Sequence, residues 1–299
     1  MHVQNSNSPT NAKEIIFTDR DFGLSLDNIA RACSTYFENN TAIFLPYTRL
    51  DKTEIQKYFF KNNQILSIYT DDNNFSKVEV HARLLGQIHK DILEILLSME
   101  KEYSKKNKTF SITTDIASIT KIWKRNYGKK QWIINKIKEI MDCNINLYFK
   151  TYSGQHIDLK FSFISSSMAI NGKYITVNFT KEYVYFMART ELLDYRQFIP
   201  DIVQLENDFT KAVVRFILKD NGVNTHFRIN TILEKLNYKK LMSSIELSRE
   251  LKILKSQKVQ KILHDKFGIY LSNNNQTINF DINLVDKKRY FIKTKELSV

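Results

Sequence analysis

The residues of this 299-residue chain that could do covalent chemistry are few and far apart. Of its 7 glycines the closest two are Gly154 and Gly172, so no glycine-rich phosphate loop, dinucleotide turn or nucleophile elbow can be assembled. The histidines (His2, His81, His89, His156, His226 and His264) include no pair one residue apart, the spacing needed for metal-assisted strand nicking by a tyrosine. Cys33 and Cys143 form no C-x-x-C motif, which argues against a disulfide framework or a structural zinc site. The best catalytic fragment is Asp158-Leu159-Lys160 with Asp142 upstream, a weak version of the acidic pair plus lysine of metal-dependent nucleases. Its plain alternative is the polar face of a strand whose other face is Ile157, Leu159 and Phe161. The expectation is a binding protein rather than an enzyme, with no cofactor and no metal.

Binding chemistry is better represented, because Lys+Arg number 45 against 32 Asp+Glu, a net charge of +13. The excess is concentrated: residues 101–150 carry 12 basic against 4 acidic side chains and residues 227–299 carry 15 against 7. Residues 1–100 are slightly acidic (10 against 13) and 151–226 are balanced (8 against 8). Two separate basic blocks suit a polyanion, whose condensed counterions are released when lysines approach, and duplex nucleic acid is the evident candidate. A solvated basic face is the simpler alternative for either block alone.

Each block contains the same pattern of elements. Sliding the stretch 129–161 forward by 122 residues lays Trp132, Ile137, Ile140, Met141, Ile145 and Leu147 on Leu254, Val259, Ile262, Leu263, Phe267 and Ile269. In both copies helical spacing gives way to strict alternation, then a polar turn (150–155 and 272–276), then alternation again (Ile157/Leu159/Phe161 and Ile278/Phe280/Ile282). Helix plus hairpin is the back half of a winged helix. An earlier apolar segment (Ile116, Ile119 and Trp123; Ile232, Leu233 and Leu236) can supply the first helix of each helix-turn-helix. The predicted fold is α+β: two tandem winged-helix domains with an N-terminal extension.

The apolar stripe of each second helix fixes which side chains point outward. With Trp132, Ile133, Ile137 and Ile140 inward, Lys130, Gln131, Asn135 and Lys138 face out, with Lys129 just ahead of them. With Leu254, Val259, Ile262 and Leu263 inward, Arg249, Lys252, Ser256, Gln257 and Lys261 face out, flanked by Lys255 and Lys258. Gln131 and Asn135 have the amide geometry that pairs with adenine, and the cations suit phosphates. Lys150, Tyr152 and Gln155, and residues 273–276, are candidate wing contacts, with a plain solvated turn as the equal alternative.

Around these stretches, residues 1–77 are read as an extension, disordered over its Asn/Ser-rich first dozen residues. Leu85, Ile88, Ile92, Ile95, Leu96 and Met99 form one stripe of an amphipathic helix that opens the first domain, 78–200. Leu205, Phe209, Val213, Phe216 and Ile217 do the same for the second, 201–299, with the boundary at Pro200-Asp201. The N-terminus lacks the apolar core of a signal peptide, and apolar runs such as Tyr183–Ala188 are too short to span a bilayer. A cytoplasmic protein without a membrane partner is expected.

The helix Leu85-Gly-Gln-Ile-His-Lys-Asp-Ile-Leu-Glu-Ile-Leu, the strand Lys173-Tyr-Ile-Thr-Val-Asn-Phe with its following helix, and Phe209-Thr-Lys-Ala-Val-Val-Arg-Phe-Ile together resemble the plasmid replication initiators of the Rep type, over roughly residues 80–299. The resemblance implies binding of repeated origin sites in double-stranded DNA, help in melting a neighbouring A·T-rich region, and recruitment of the host replicative helicase and initiator proteins. It further implies that one winged helix serves dimerisation or phosphate contact while the other, through Arg249, Lys252, Ser256, Gln257 and Lys261, dominates base readout. A winged-helix transcription regulator without a replication role fits the residues equally well, and an autoregulating initiator would be both.

Overall fold

The computed structural model describes residues 28–47, 50, 53–70, 75–123, 130–150, 156–220, 224–272 and 274–285. In chain order its elements begin with β1 (Ser34–Thr35), α1 (Tyr36–Asn40), β2 (Phe44–Leu45), α2 (Glu54–Lys61), β3 (Ile65–Tyr69), β4 (Phe75–His81) and β5 (Leu85–Gly86). Then come α3 (Gln87–Leu97), β6 (Glu102–Ser104), β7 (Thr109–Asp115), α4 (Ile116–Trp123), α5 (Lys130–Met141), β8 (Asn144–Lys150) and β9 (His156–Ser162). They are followed by β10 (Ile164–Ile170), β11 (Tyr174–Phe179), α6 (Lys181–Arg189), β12 (Leu192–Leu193), α7 (Ile199–Gln204) and α8 (Asp208–Leu218). The chain closes with β13 (His226–Arg228), α9 (Ile229–Lys235), α10 (Tyr238–Leu241), α11 (Ser244–Leu254), α12 (Gln257–Phe267), β14 (Ile269–Leu271) and β15 (Thr277–Phe280).

Helix and strand are mixed throughout, in three main sheets of order β3-β4-β8-β9, β10-β11-β7-β6 and β13-β15-β14. Two short pairs, β1 with β12 and β2 with β5, tie residues 34–45 to distant parts of the chain. Residues 34–69, expected in an extension, therefore supply strands to sheets shared with later segments, and the boundary placed at Pro200-Asp201 falls in the first turn of α7. The first dozen residues, read as disordered, lie outside the described residues.

Helix α3 begins two residues later than its sequence pattern suggests, because Leu85–Gly86 pairs as a strand with Phe44–Leu45. Nor is it amphipathic in the solvent sense: besides its apolar stripe, Gln87, His89, Lys90, Asp91 and Glu94 are all buried. The same holds for α8, where Asp208, Lys211 and Arg215 are buried beside Phe209, Val213 and Phe216. Charges are withdrawn from water only when partnered, and here they partner one another. Arg215 reaches Glu94 at 2.7 Å and Asp91 at 2.6 Å, Lys211 reaches Asp91 at 2.5 Å, and Lys90 reaches Glu38 of α1 at 2.5 Å. Tyr195 donates to Glu94 at 2.5 Å and Tyr183 of α6 to Glu38 at 2.8 Å. Burial works against the Arg215 charge, but Glu94 and Asp91 outweigh it and raise its pKa, while burial pushes the Tyr183 and Tyr195 phenols up, helped by Glu38 at Tyr183 and by Glu94 at Tyr195. One ionic core thus joins α1, α3, α6 and α8. Among the described residues no helix is long and apolar enough to cross a membrane.

Candidate nucleic-acid interface

The second basic block folds as β13, α9 and α10, then α11 and α12 joined by a two-residue turn, then the hairpin β14–β15. The sequence pattern predicts one continuous helix through Arg249–Lys261, and this is corrected: the helix breaks at Lys255-Ser256. Ser243 and Glu246 close a capping box at the start of α11. Lys255 ends that helix, and the Ser256 hydroxyl caps α12 by accepting from the Val259 amide. Ser256 is therefore a helix cap rather than an outward reader. Gln260, which the sequence pattern did not single out, holds the corner: its amide donates to the Leu254 carbonyl at 2.7 Å and accepts from the Leu271 amide of β14 at 3.0 Å. Gly268 turns the chain out of α12 at φ +67°, where a Cβ would stand 2.2 Å from the Asp281 carbonyl oxygen.

On this scaffold Lys252 and Lys255 (α11 and turn) and Gln257 and Lys261 (α12) are exposed, and none of the three lysines makes an ion pair among the described residues. Arg249 is exposed but pairs with Glu250 at 2.9 Å, and Lys258 pairs with Glu206 at 3.1 Å. Lys258 thus points toward α7 and α8, not along the Gln257–Lys261 face. Ile262, expected to face inward, is 38% exposed and lines a cavity of about 380 Å³ beside Leu205 and Val259. Its place in the core is taken by Leu263 and Phe267, with Leu254. His264 and Asp265, 3.1 Å apart and both exposed, share the outward side of α12 with Lys261, a placement the sequence reading missed.

In the first block Ile133, Ile137 and Ile140 of α5 are buried as expected and Trp132 packs partly against the core. Lys130, Gln131, Asn135 and Lys138 are exposed, with the Gln131 amide donating to Asn135 at 2.9 Å; Lys129 lies outside the described residues. The other flank of α5 is anchored by Glu139, which accepts from Arg83 at 2.7 Å, His89 at 2.9 Å and Lys136 at 2.9 Å. Burial works against that carboxylate, but the three donors hold its pKa well below the usual range. Since His89 Nδ1 accepts from the Gly86 amide at 3.0 Å, its proton resides on Nε2 facing Glu139, and burial lowers its pKa. Asp142 ends α5, while Asp158 and Lys160 stand on β9 opposite Tyr148 and Asn146, and among the described residues no group of three His, Cys, Asp or Glu side chains is arranged to hold a metal ion.

The two blocks share a register, but with a different hairpin from the one the 122-residue offset selects. In the second, Arg228 ends β13 opposite Thr277, and the first amide of α9, Ile229, donates to the Gln276 carbonyl at 2.9 Å. In the first, Asp115 ends β7 opposite Tyr174, and the first amide of α4, Ile116, donates to the Lys173 carbonyl at 2.9 Å. The counterpart of β14–β15 is therefore β10–β11, and the sheet orders β7-β11-β10 and β13-β15-β14 coincide. The hairpin β8–β9 joins β3 and β4 in a separate sheet. Tyr152 and Gln155, expected as wing contacts, lie outside the described residues, as does Asn273.

No family model matches this sequence, and no curated protein does. Among solved structures, the mixed helix-and-strand architecture is similar to domains 2-3 of RctB, at 11% identity over 76% of this chain and 94% of that one, with a TM-score of 0.47. A selenomethionine form of domains 2 and 3 of RctB aligns over 65% of this chain and 78% of that one, also at 11% identity, with a TM-score of 0.46. At that identity neither assigns a role to any residue here.

Proposed function

We propose that the protein binds duplex DNA through two winged-helix modules, β7-α4-α5-β10-β11 and β13-α9-α11-α12-β14-β15, and serves as a Rep-type replication initiator that occupies repeated origin sites and represses its own gene. The observation that carries the reading is the repeated strand-to-helix register, because beside a hairpin it sets, twice in one chain, a helix with exposed lysines that make no ion pair among the described residues: Lys130 and Lys138 on α5, Lys261 on α12. In a helix-turn-helix the second helix enters the major groove while flanking cations hold phosphates. On this reading Gln257 and Lys261 of α12, and Gln131 and Asn135 of α5, face base edges. Lys130, Lys138, Lys252 and Lys255 face phosphates. The resemblance of residues 80–299 to Rep initiators supports the replication role over a purely transcriptional one, along with self-association, recruitment of the host helicase and action in the cytoplasm without catalysis.

A footprint on the DNA flanking the gene tests this. Several directly repeated protected sites beside an A·T-rich tract are expected of an initiator. One palindrome over a promoter would favour the regulator, and metal-dependent cleavage lost in Asp158→Ala would favour a nuclease.

A further inference from the structure

The distal end of β10–β11 is open to solvent although Tyr174 still pairs with Asp115 of β7: every residue from Met168 to Tyr174 is exposed. Three are large and apolar, Met168 (60%), Tyr174 (41%) and Ile170 (37%). Ile170 and Tyr174 are cross-strand partners, and the Lys173 ammonium lies 5.0 Å from the Tyr174 ring, so the tip is an apolar pair with a cation beside it. The tip is fixed against the helix pair, through Lys173 bonded to the start of α4 and through Ser167 Oγ at 3.3 Å from Met141 Sδ of α5. The matching turn of the second module is polar, with Ser272, Asn274, Asn275 and Gln276. At the turn itself one tip offers polar side chains, whereas the other pairs Ile170 with Tyr174, apolar side chains that water disfavours and a partner would cover.

We infer that the β10–β11 tip is a wedge for duplex DNA, with Ile170 and Tyr174 entering the minor groove next to the α5 site and parting a base step while Lys173 holds the adjacent phosphate. Apolar side chains of this kind unstack and kink a duplex when they are driven between base pairs. Flexible pyrimidine–purine steps, TA above all, resist least. Charge favours DNA over a second copy of the chain, since a symmetric contact through this patch would bring Lys173 against its own equivalent. The inference rests on the duplex-binding reading above and adds a deformation that this reading alone does not require.

The test uses the full chain and the duplex that the wild-type protein selects from a randomised library, with 2-aminopurine placed at successive adenines. Binding should raise the fluorescence at one step beside the protected region. The Ile170→Ser/Tyr174→Ser protein should keep the protection and lose the rise. A photoreactive amino acid at position 171 should crosslink to DNA, whereas one at position 107, in the turn at the opposite end of the same sheet, should not. A rise unchanged in the double variant, or crosslinking at 171 to a second protein chain instead of DNA, would overturn the wedge. Protection without a rise at any position sinks the wedge alone; absence of protection sinks the duplex-binding reading with it.

Discussion

Replacing Arg215 by methionine should cost more stability than any substitution on the basic faces. The guanidinium donates to both oxygens of Glu94 (2.7–3.0 Å), to Asp91 at 2.6 Å and to the Gln87 side chain at 2.6 Å, all buried. Without it Glu94 keeps Tyr195 and a lysine, Lys90, 3.6 Å away, and Asp91 keeps, among the described residues, only Lys211 as a cation. Breaking one partner out of a buried ionic cluster typically costs about 3–5 kcal/mol, against a total stability of roughly 5–15 kcal/mol. Urea unfolding followed by circular dichroism should therefore show a much lower midpoint with an unchanged slope. Adding Glu94→Gln should recover part of the loss, since the uncompensated charge is removed, giving a coupling of about 0.5–3 kcal/mol in a double-mutant cycle. A loss below about 1 kcal/mol, the size seen for exposed ion pairs, would mean the network is hydrated and the reasoning is wrong.

Other outcomes follow from the same geometry. Gly268→Ala combines a left-handed backbone, worth about 1–2 kcal/mol, with a Cβ 2.2 Å from the Asp281 carbonyl oxygen, whereas Gly172→Ala at φ +60° meets nothing within 4 Å; thermal unfolding should rank the first as far more damaging. His89 is held neutral by burial, so its folded pKa lies below the ordinary 6.5. Between those two values the unfolded chain binds the extra proton, and stability should fall as pH drops through 6.5 toward the lowered folded value. His89→Gln, which can still cap Gly86 without titrating, should flatten that part of the curve of unfolding free energy against pH. In DNA binding, Lys252→Ala and Lys255→Ala should each reduce the slope of log affinity against log salt by about one, whereas Lys258→Ala, already paired with Glu206, should reduce it less. Equal slopes for wild type and Lys252→Ala would contradict the phosphate contact.

Apolar periodicity made much of this fold legible. The buried faces of α3, α5 and α8 follow their stripes, and the outward set on α5 follows by subtraction. What periodicity could not carry is the partner of each polar residue. Lys90, Asp91 and Glu94 look like a solvated face because Glu38, Lys211 and Arg215 lie 52 to 121 residues away in the chain. Alternation likewise identifies a strand but not its neighbour, so Leu147/Phe149 and Ile269/Leu271 matched although their hairpins join different sheets. The true counterpart, Ile164-Ser-Ser-Ser-Met-Ala-Ile170, is serine-rich and largely exposed, and has no alternation to find. Ser256 and Gly268 did offer cap signals that divide the 249–267 stretch, and a reading led by caps would have placed the break that the offset alignment concealed.

A hydroxyl-radical footprint of the wild-type chain beside Lys130→Ala/Lys138→Ala and Lys252→Ala/Lys261→Ala on one selected duplex addresses the two-module claim most directly. Two adjacent protected segments are expected, the first weakened only by the α5 pair of substitutions and the second only by the pair on α11 and α12. A single protected segment, or protection unaffected by either pair, would contradict it.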